Sequence, residues 1–421
     1  MHMDPSDSLE DGEHPNMVIM GRSESRSFFR SALRGTHFEQ NKIPANVPSF
    51  REQIIRTSPV ESFRERVKRP TIRRQVLFFI AGSCLAYSLA TSQTQAETDY
   101  WFNRLTSVTH LDTTLLPVDV AMRRLQSYEE SNKVSTLKFA LSEWPILLKQ
   151  QIISTYISAA NRYYNASEGK RLCWMICGLN TMVYLAWKVP RFGPTMNRIF
   201  THHPLSGLSY TLLTSMFSHK TFLHLAANSI ALTSFGSAAT TYLSGAQISD
   251  PDFPPESTSR WHFLAFYLSA GVFSGLVSHV AAAKVLYPRL VSQLAKAAPI
   301  TPAVEMASKT SALPRVREIL PSLGASGAIY AAVTLSALGF PDAEVTLMFP
   351  PFMPINIQTG VGALVLLDTI GILRGWRMFD HYAHLGGAAF GVMYYMYGPT
   401  WWNYLRGSIA PDVEEGKGEL E

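Results

Sequence analysis

Cysteine is scarce in this chain and charge is thin: its 421 residues include three cysteines, and 16% of them are charged. Cys84, Cys173 and Cys177 lie inside apolar runs without C-x-x-C spacing, so the sequence encodes neither a disulfide framework nor a thiolate zinc site. H-E-x-x-H is missing, and so are G-x-G-x-x-G and the P-loop. Their absence removes the usual helical zinc site and the usual glycine cradles for phosphate. Neither a metal nor a cofactor is expected. The net charge of +5 gathers in the N-terminal arm and in loops on one side, which points to membrane topology and anionic lipid rather than nucleic acid.

What the chain does have is long apolar blocks. Hydrophobic residues make up 47% of it, and they collect in stretches of about 18 to 25 residues, enough to cross about 30 Å of hydrocarbon. Seven such blocks are Val76 to Gln93, Leu172 to Val189, Phe222 to Leu243, Trp261 to Leu286, Leu323 to Phe340, Ile355 to Leu373 and Phe379 to Gly398. None shows the charged face at period 3.6 that a helix of a soluble bundle needs. The expected fold class is an all-α polytopic membrane protein.

The rest of the chain divides around these blocks. Residues 1–75 form an N-terminal arm, acidic at Asp4, Asp7, Glu10, Asp11 and Glu13, then Arg- and Ser-rich in "GRSESRSFFRSALRG" from Gly21. The second part has the composition of an organelle transit peptide. After the first span, 76–93, comes a connecting segment, 94–171. In it "SEWPILLKQQIISTYISAANRYY" predicts an amphipathic helix capped at Ser142 with Pro145 in its first turn, lying on the bundle or on the membrane. Residues 399–421 are an acidic tail.

Loop charges set an orientation, because Lys and Arg accumulate on the untranslocated side. Arg64, Arg66, Lys68, Arg69, Arg73 and Arg74 precede the first span, and alternate crossings bring Lys188, Arg191, Arg198 and Lys220 to the same side. Lys309, Arg315 and Arg317 follow there, and then Arg374 and Arg377. Asp250, Asp252, Asp342 and Glu344 fall opposite, with the tail. Seven crossings put the N-terminus on the positive side and the C-terminus on the other.

Polar groups inside spans cost several kcal/mol unless they pair or face water, so each is a candidate for function. Ser326 stands in Gly324-Ala325-Ser326-Gly327 at the mouth of the fifth block. Small neighbours leave its hydroxyl unshielded, and the free N–H groups of a helix start favour an oxyanion there. A small-residue packing face is the competing reading. His384 is followed at i+3 and i+7 by Gly387 and Gly391, which would press its imidazole against a neighbouring helix, where it could serve as a general base. His381, one turn earlier, is expected nearer the interface and solvated. His224 and Asn228 share a helical face as two donors, either an oxyanion hole or a polar clamp between helices. Asp368 is the one acid well inside a block; a hydrogen-bonded packing role is expected of it, as of His279 and Asn180.

H-x4-H-x3-N at His219, His224 and Asn228, G-x-S-G followed one turn on by Tyr330, and A-H-x-x-G-x-x-x-G from Ala383 to Gly391 occur in that order on alternate blocks. This ordered set resembles the rhomboid family of intramembrane serine proteases. With a helix before the core, "GASGAIYA" and "FDHYAHLGGAAFG", it is most similar to the mitochondrial presenilin-associated rhomboid-like subfamily. The resemblance implies a six-helix core at 172–398 preceded by one extra transmembrane helix, a 1+6 arrangement.

It further implies Ser326 as nucleophile and His384 as base in a dyad that leaves Asp368 out. His224, Asn228 and the Ser326 N–H would form the oxyanion hole, Tyr330 would stack on His384, and Gly324, Gly327, Gly387, Gly391 and His219 would support them. His219 and its polar neighbours would admit water. Implied substrates are single-span membrane proteins, such as the dynamin-related GTPase of inner-membrane fusion, and the implied location is the mitochondrial inner membrane, N-terminus in the matrix and C-terminus in the intermembrane space. A non-catalytic relative that binds membrane clients is the alternative.

Overall fold

The computed structural model describes residues 69–109, 130–248, 256–297, 319–346 and 353–408. The Arg- and Ser-rich arm, Asp250 and Asp252, the basic residues Lys309, Arg315 and Arg317, and the tail from residue 409 lie outside them.

A helix stands at each apolar block. α1 is Ile72–Thr109, α2 is Ile146–Asn165 and α3 is Glu168–Lys188. α4, Phe222–Ala231, passes through a π-helical turn at Leu232–Gly236 into α5, Ser237–Ile248. α6, Arg260–Ala281, does the same at Ala282–Leu286 before α7, Tyr287–Ala297. α8 is Ser326–Gly339, α9 is Ile357–Arg374 and α10 is His381–Gly407. A two-stranded antiparallel sheet, β1 Glu344–Thr346 and β2 Pro354–Asn356, lies between α8 and α9.

Three described helical stretches are long and apolar enough to cross a membrane: Ile72–Arg104, Arg260–Gln293 and Ile357–Arg374. A fourth appears if Glu168–Lys188 and Pro190–Ile199, bent by 97°, count as one span. α8 has only 14 residues, because Leu323 to Ala325, expected to be helical, are not. Gly324 adopts φ +125° and its N–H donates to the Ser215 carbonyl at 2.9 Å. α1 and α10 overrun their blocks toward Thr109 and Gly407, held by polar contacts: Glu97 of α1 accepts from Arg260 at 2.7 Å and from the Trp261 indole N–H at 2.9 Å.

α6 is the axis of the bundle. Phe263, Phe266 and Tyr267 are fully buried, and the helix packs against α1, α8 and α10. α9 sits at the margin, with only Ile357, Asp368 and Gly371 buried. α2 starts at Ile146, with Pro145 rather than Ser142 at its cap, and none of its residues is buried.

The two ends of the bundle are tied differently. At one end, the His279 Nε2–H of α6 donates to the Thr71 carbonyl, just before α1, at 3.2 Å. His202 lies 2.9 Å from His279 Nδ1 and pairs backbone to backbone with Ser322, four residues before Ser326. At the other end, Glu256 meets Arg406 at 3.2 Å. The start of α1 and the start of α8 thus share one end.

Candidate active site

Four helices bring their ends or flanks to one point. Gly387 and Gly391 allow α10 to lie backbone to backbone on α8: a Cβ at Gly387 would fall 2.0 Å from the Gly327 carbonyl oxygen, and one at Gly391 would fall 2.6 Å from that of Ala331. Small residues are what make such an approach possible. Gly327 in turn is pressed by Ser274, whose hydroxyl donates to the Ala383 carbonyl at 2.9 Å.

Asp380 fixes the register. It caps α10, accepting from the Ala383 N–H at 3.1 Å, while its other oxygen accepts from Ser278 and Ser322, each at 2.6 Å. One carboxylate so joins α6, the approach to α8 and the start of α10. Asp380 is not among the residues singled out in the sequence; its position three residues before Ala383 at a helix start is the available signal.

Within this frame Ser326 Oγ lies 2.9 Å from His384 Nε2. His384 is 7% exposed, and the Tyr330 ring stacks on its imidazole. The mouth of the site is built by Gly324. A Cβ there would lie 3.0 Å from His224 Nε2 and 3.9 Å from Asn228 Nδ2, so glycine leaves a small space beside the serine with two donors facing it. Asn228 Nδ2 donates to His219 Nε2 at 2.9 Å. His219 is fully buried; it orients the carboxamide rather than standing at a water entrance.

Two further expectations change. His381, expected to be solvated, is 4% exposed and donates its Nδ1–H to Asp368 Oδ1 at 2.5 Å. Asp368, expected in a hydrogen-bonded packing role apart from the serine–histidine pair, is hydrogen-bonded, but one of its partners is His384 itself: its Oδ1 is 3.1 Å from His384 Nδ1, and its Oδ2 accepts from the Tyr330 hydroxyl at 2.7 Å. His279 is buried and hydrogen-bonded as expected, with His202 among its partners; Asn180 is buried, but its Oδ1 has no hydrogen-bond partner among the described residues.

Asp368, His381 and His384 place ligating atoms within 4.8 Å of one another. In both histidines the nitrogen facing the carboxylate is within hydrogen-bond distance of it.

An apolar cleft of about 1490 Å³ opens onto Ser326, His384, His224 and Asn228. It runs along Ile329 and Val333 of α8, with Val361 and Leu364 of α9 on its other wall, as far as the β1–β2 sheet. A hydroxyl paired with an imidazole nitrogen, donors grouped around an adjoining space and an apolar approach together allow acyl transfer from an apolar peptide.

Residues 206–399 match the rhomboid domain family. The chain is 32% identical over 277 residues to the mitochondrial presenilin-associated rhomboid-like proteins of Homo sapiens and Mus musculus, a match covering 65% of this chain and 59% of theirs. It is also 27% identical over 237 residues to the mitochondrial rhomboid protein 1 of Saccharomyces cerevisiae, covering 56% of this chain and 55% of that one. The match thus spans less than two thirds of the length of these relatives.

Proposed function

From a chain that carries a rhomboid domain at residues 206–399, we propose an intramembrane serine protease acting through Ser326 and His384. The observation that carries this reading is the 2.9 Å contact between Ser326 Oγ and His384 Nε2 at the head of the apolar cleft. The six helical segments from α3 to α10 form the core, and α1 is the extra transmembrane helix before it.

The substrate is the transmembrane segment of a single-span protein. A helix protects its own backbone by hydrogen bonds, so the segment must unwind at the cut, which favours small or helix-weakening residues there. The marginal position of α9 suits lateral entry between it and α4. The Ser326 Oγ–H proton passes to His384 Nε2 as Oγ bonds to the carbonyl carbon, and the carbonyl electron pair becomes an oxyanion facing His224, Asn228 and the Ser326 N–H. The imidazolium then gives its proton to the leaving amine as the C–N bond breaks, and water releases the acyl group by the reverse sequence.

The mitochondrial names of the relatives support a mitochondrial membrane, the resemblance to the presenilin-associated rhomboid-like proteins favours the inner one, and the loop charges then favour an N-terminus in the matrix. The dyad then opens toward the matrix side, where α1 begins. A tag between the end of α7 at Ala297 and Pro321 tests this: protection from protease added on the intermembrane side is expected, and cleavage there refutes it.

The function is tested with the purified full chain in detergent and a labelled single-span substrate. Wild type should cleave, and Ser326→Ala and His384→Ala should not. Equal cleavage by all three would leave client binding without hydrolysis as the reading.

A further inference from the structure

Asp368 lies mid-way along an apolar helix and is 2% exposed. A carboxylate so placed must be surrounded by donors, because an uncompensated buried charge is costly. Three donors surround it: the Tyr330 hydroxyl on Oδ2 at 2.7 Å, and the Nδ1–H groups of His381 and His384 on Oδ1 at 2.5 and 3.1 Å. All of them come from α8 and α10, the helices that carry the serine and the histidine.

An ionised carboxylate only accepts hydrogen bonds, so the His384 nitrogen facing it must be the one that carries the proton. This leaves Nε2 with its lone pair free, and Nε2 is the nitrogen 2.9 Å from Ser326 Oγ. The neutral imidazole therefore waits in the tautomer that can take the serine proton. Tyr330 enforces the same arrangement twice, stacking on the ring and holding the carboxylate behind it.

We propose that Asp368 is a positioning residue of the hydrolytic centre, fixing the orientation and tautomer of His384 so that Ser326, His384 and Asp368 act as a line of three. This rests on the protease reading above. When Ser326 gives its proton to Nε2, the imidazolium keeps its Nδ1–H on Asp368, whose charge stabilises it and which gains no proton. His381 is a second occupant of the same oxygen. Its Nε2 is buried with no hydrogen-bond partner among the described residues, so its own orientation depends on Asp368.

The test uses the purified full chain with Asp368→Asn and Asp368→Glu, and Ser326→Ala as blank. Three quantities are read: cleavage of a labelled single-span substrate, labelling of Ser326 by a fluorophosphonate, and the low-field proton resonance of a histidine Nδ1–H held by carboxylate. Asp368→Asn presents an amide donor and favours the wrong tautomer. It should lower kcat and the labelling rate by about 10²- to 10⁴-fold with KM changed less than about threefold, and Asp368→Glu should recover part of the loss. The low-field proton assigned by its loss in His384→Gln should persist in Ser326→Ala and vanish in Asp368→Asn.

Kinetics of Asp368→Asn within about threefold of wild type, or survival of that proton, would overturn the proposal. A wild type that neither cleaves nor takes up the probe would refute the protease reading, and the proton resonance would then decide the Asp368–His384 bond by itself. Should Asp368→Asn fail to fold, the presence or absence of the His384-dependent proton in Ser326→Ala still decides it.

Discussion

The Tyr330 ring lies over the His384 imidazole with centroids 4.3 Å apart and planes 12° from parallel. The same residue donates its hydroxyl to Asp368, so packing on His384 and hydrogen bonding to its carboxylate partner can be separated by substitution. Tyr330→Phe keeps the stack and removes one hydrogen bond, worth about 1 kcal/mol, and should lower kcat/KM about fivefold to tenfold. Tyr330→Leu also loses an aromatic pair worth about 0.5–1.5 kcal/mol and should lower it about 10- to 70-fold. Equal effects of the two would mean that the hydroxyl alone matters.

Gly387→Ala puts a methyl 2.0 Å from the Gly327 carbonyl oxygen, where backbone faces backbone and no side chain can yield. α8 and α10 must separate, and with them Ser326 and His384. Activity should fall more than about 10²-fold, since small misplacements of reacting groups are expensive, and the unfolding midpoint in detergent should drop. Gly362→Ala in α9 meets nothing within 4 Å. It should retain activity and gain up to about 1 kcal/mol of helix stability.

Asn228→Ala removes a donor from the space beside Gly324. A loss of about 10²- to 10³-fold in kcat is expected, the usual cost of one oxyanion donor. His219→Ala leaves the carboxamide in place but unheld, so a smaller loss is expected. The double variant should be no worse than Asn228→Ala, because both act through one amide; additive losses would assign His219 a separate task.

His202 and His219 lie in the loop segments before α4, and burial pushes their imidazoles down to about 3 and about 4. Neighbouring imidazoles, His279 beside His202 and His224 beside His219, add to the shift. Both sites stay neutral when folded but take up a proton near 6.5 when unfolded. Their stability is therefore complete above about pH 6.5 and is lost as pH falls toward the folded values, about 2 kcal/mol for each at pH 5. The thermal midpoint in detergent should fall between pH 7 and pH 5, and less steeply in His202→Gln. A midpoint independent of pH would contradict the burial of both rings.

Much of this was legible in the residues themselves. The apolar runs located α3 to α6, α8 to α10 and the first half of α1, because burial in hydrocarbon leaves its mark on consecutive residues; α7, Tyr287–Ala297, lies beyond the block that ends at Leu286. Ser326 between glycines, and His384 followed by Gly387 and Gly391, identified a helix pair in close contact, because only glycine permits it. The end of α1 was not legible: its outer turns are polar and are held by Glu97 on Arg260 and Trp261, 163 and 164 residues away.

The partners of buried polar groups belong to the tertiary structure alone. Helical periodicity tells which residues share a face, not which face of another helix they meet. Asp368 and His381 looked like a packing acid and a solvated histidine, each judged along its own helix. Only the packing of α9 against α10 brings the carboxylate under both imidazoles. Likewise, nothing in the spacing of His202, His279, Ser322 and Asp380 indicates that they tie the start of α8 to α6 and α10. The sequence by itself determined which segments are apolar and which small residues could let helices touch; the docking of those helices decided which polar groups complete the site, because each such contact depends on the mutual placement of two or more helices.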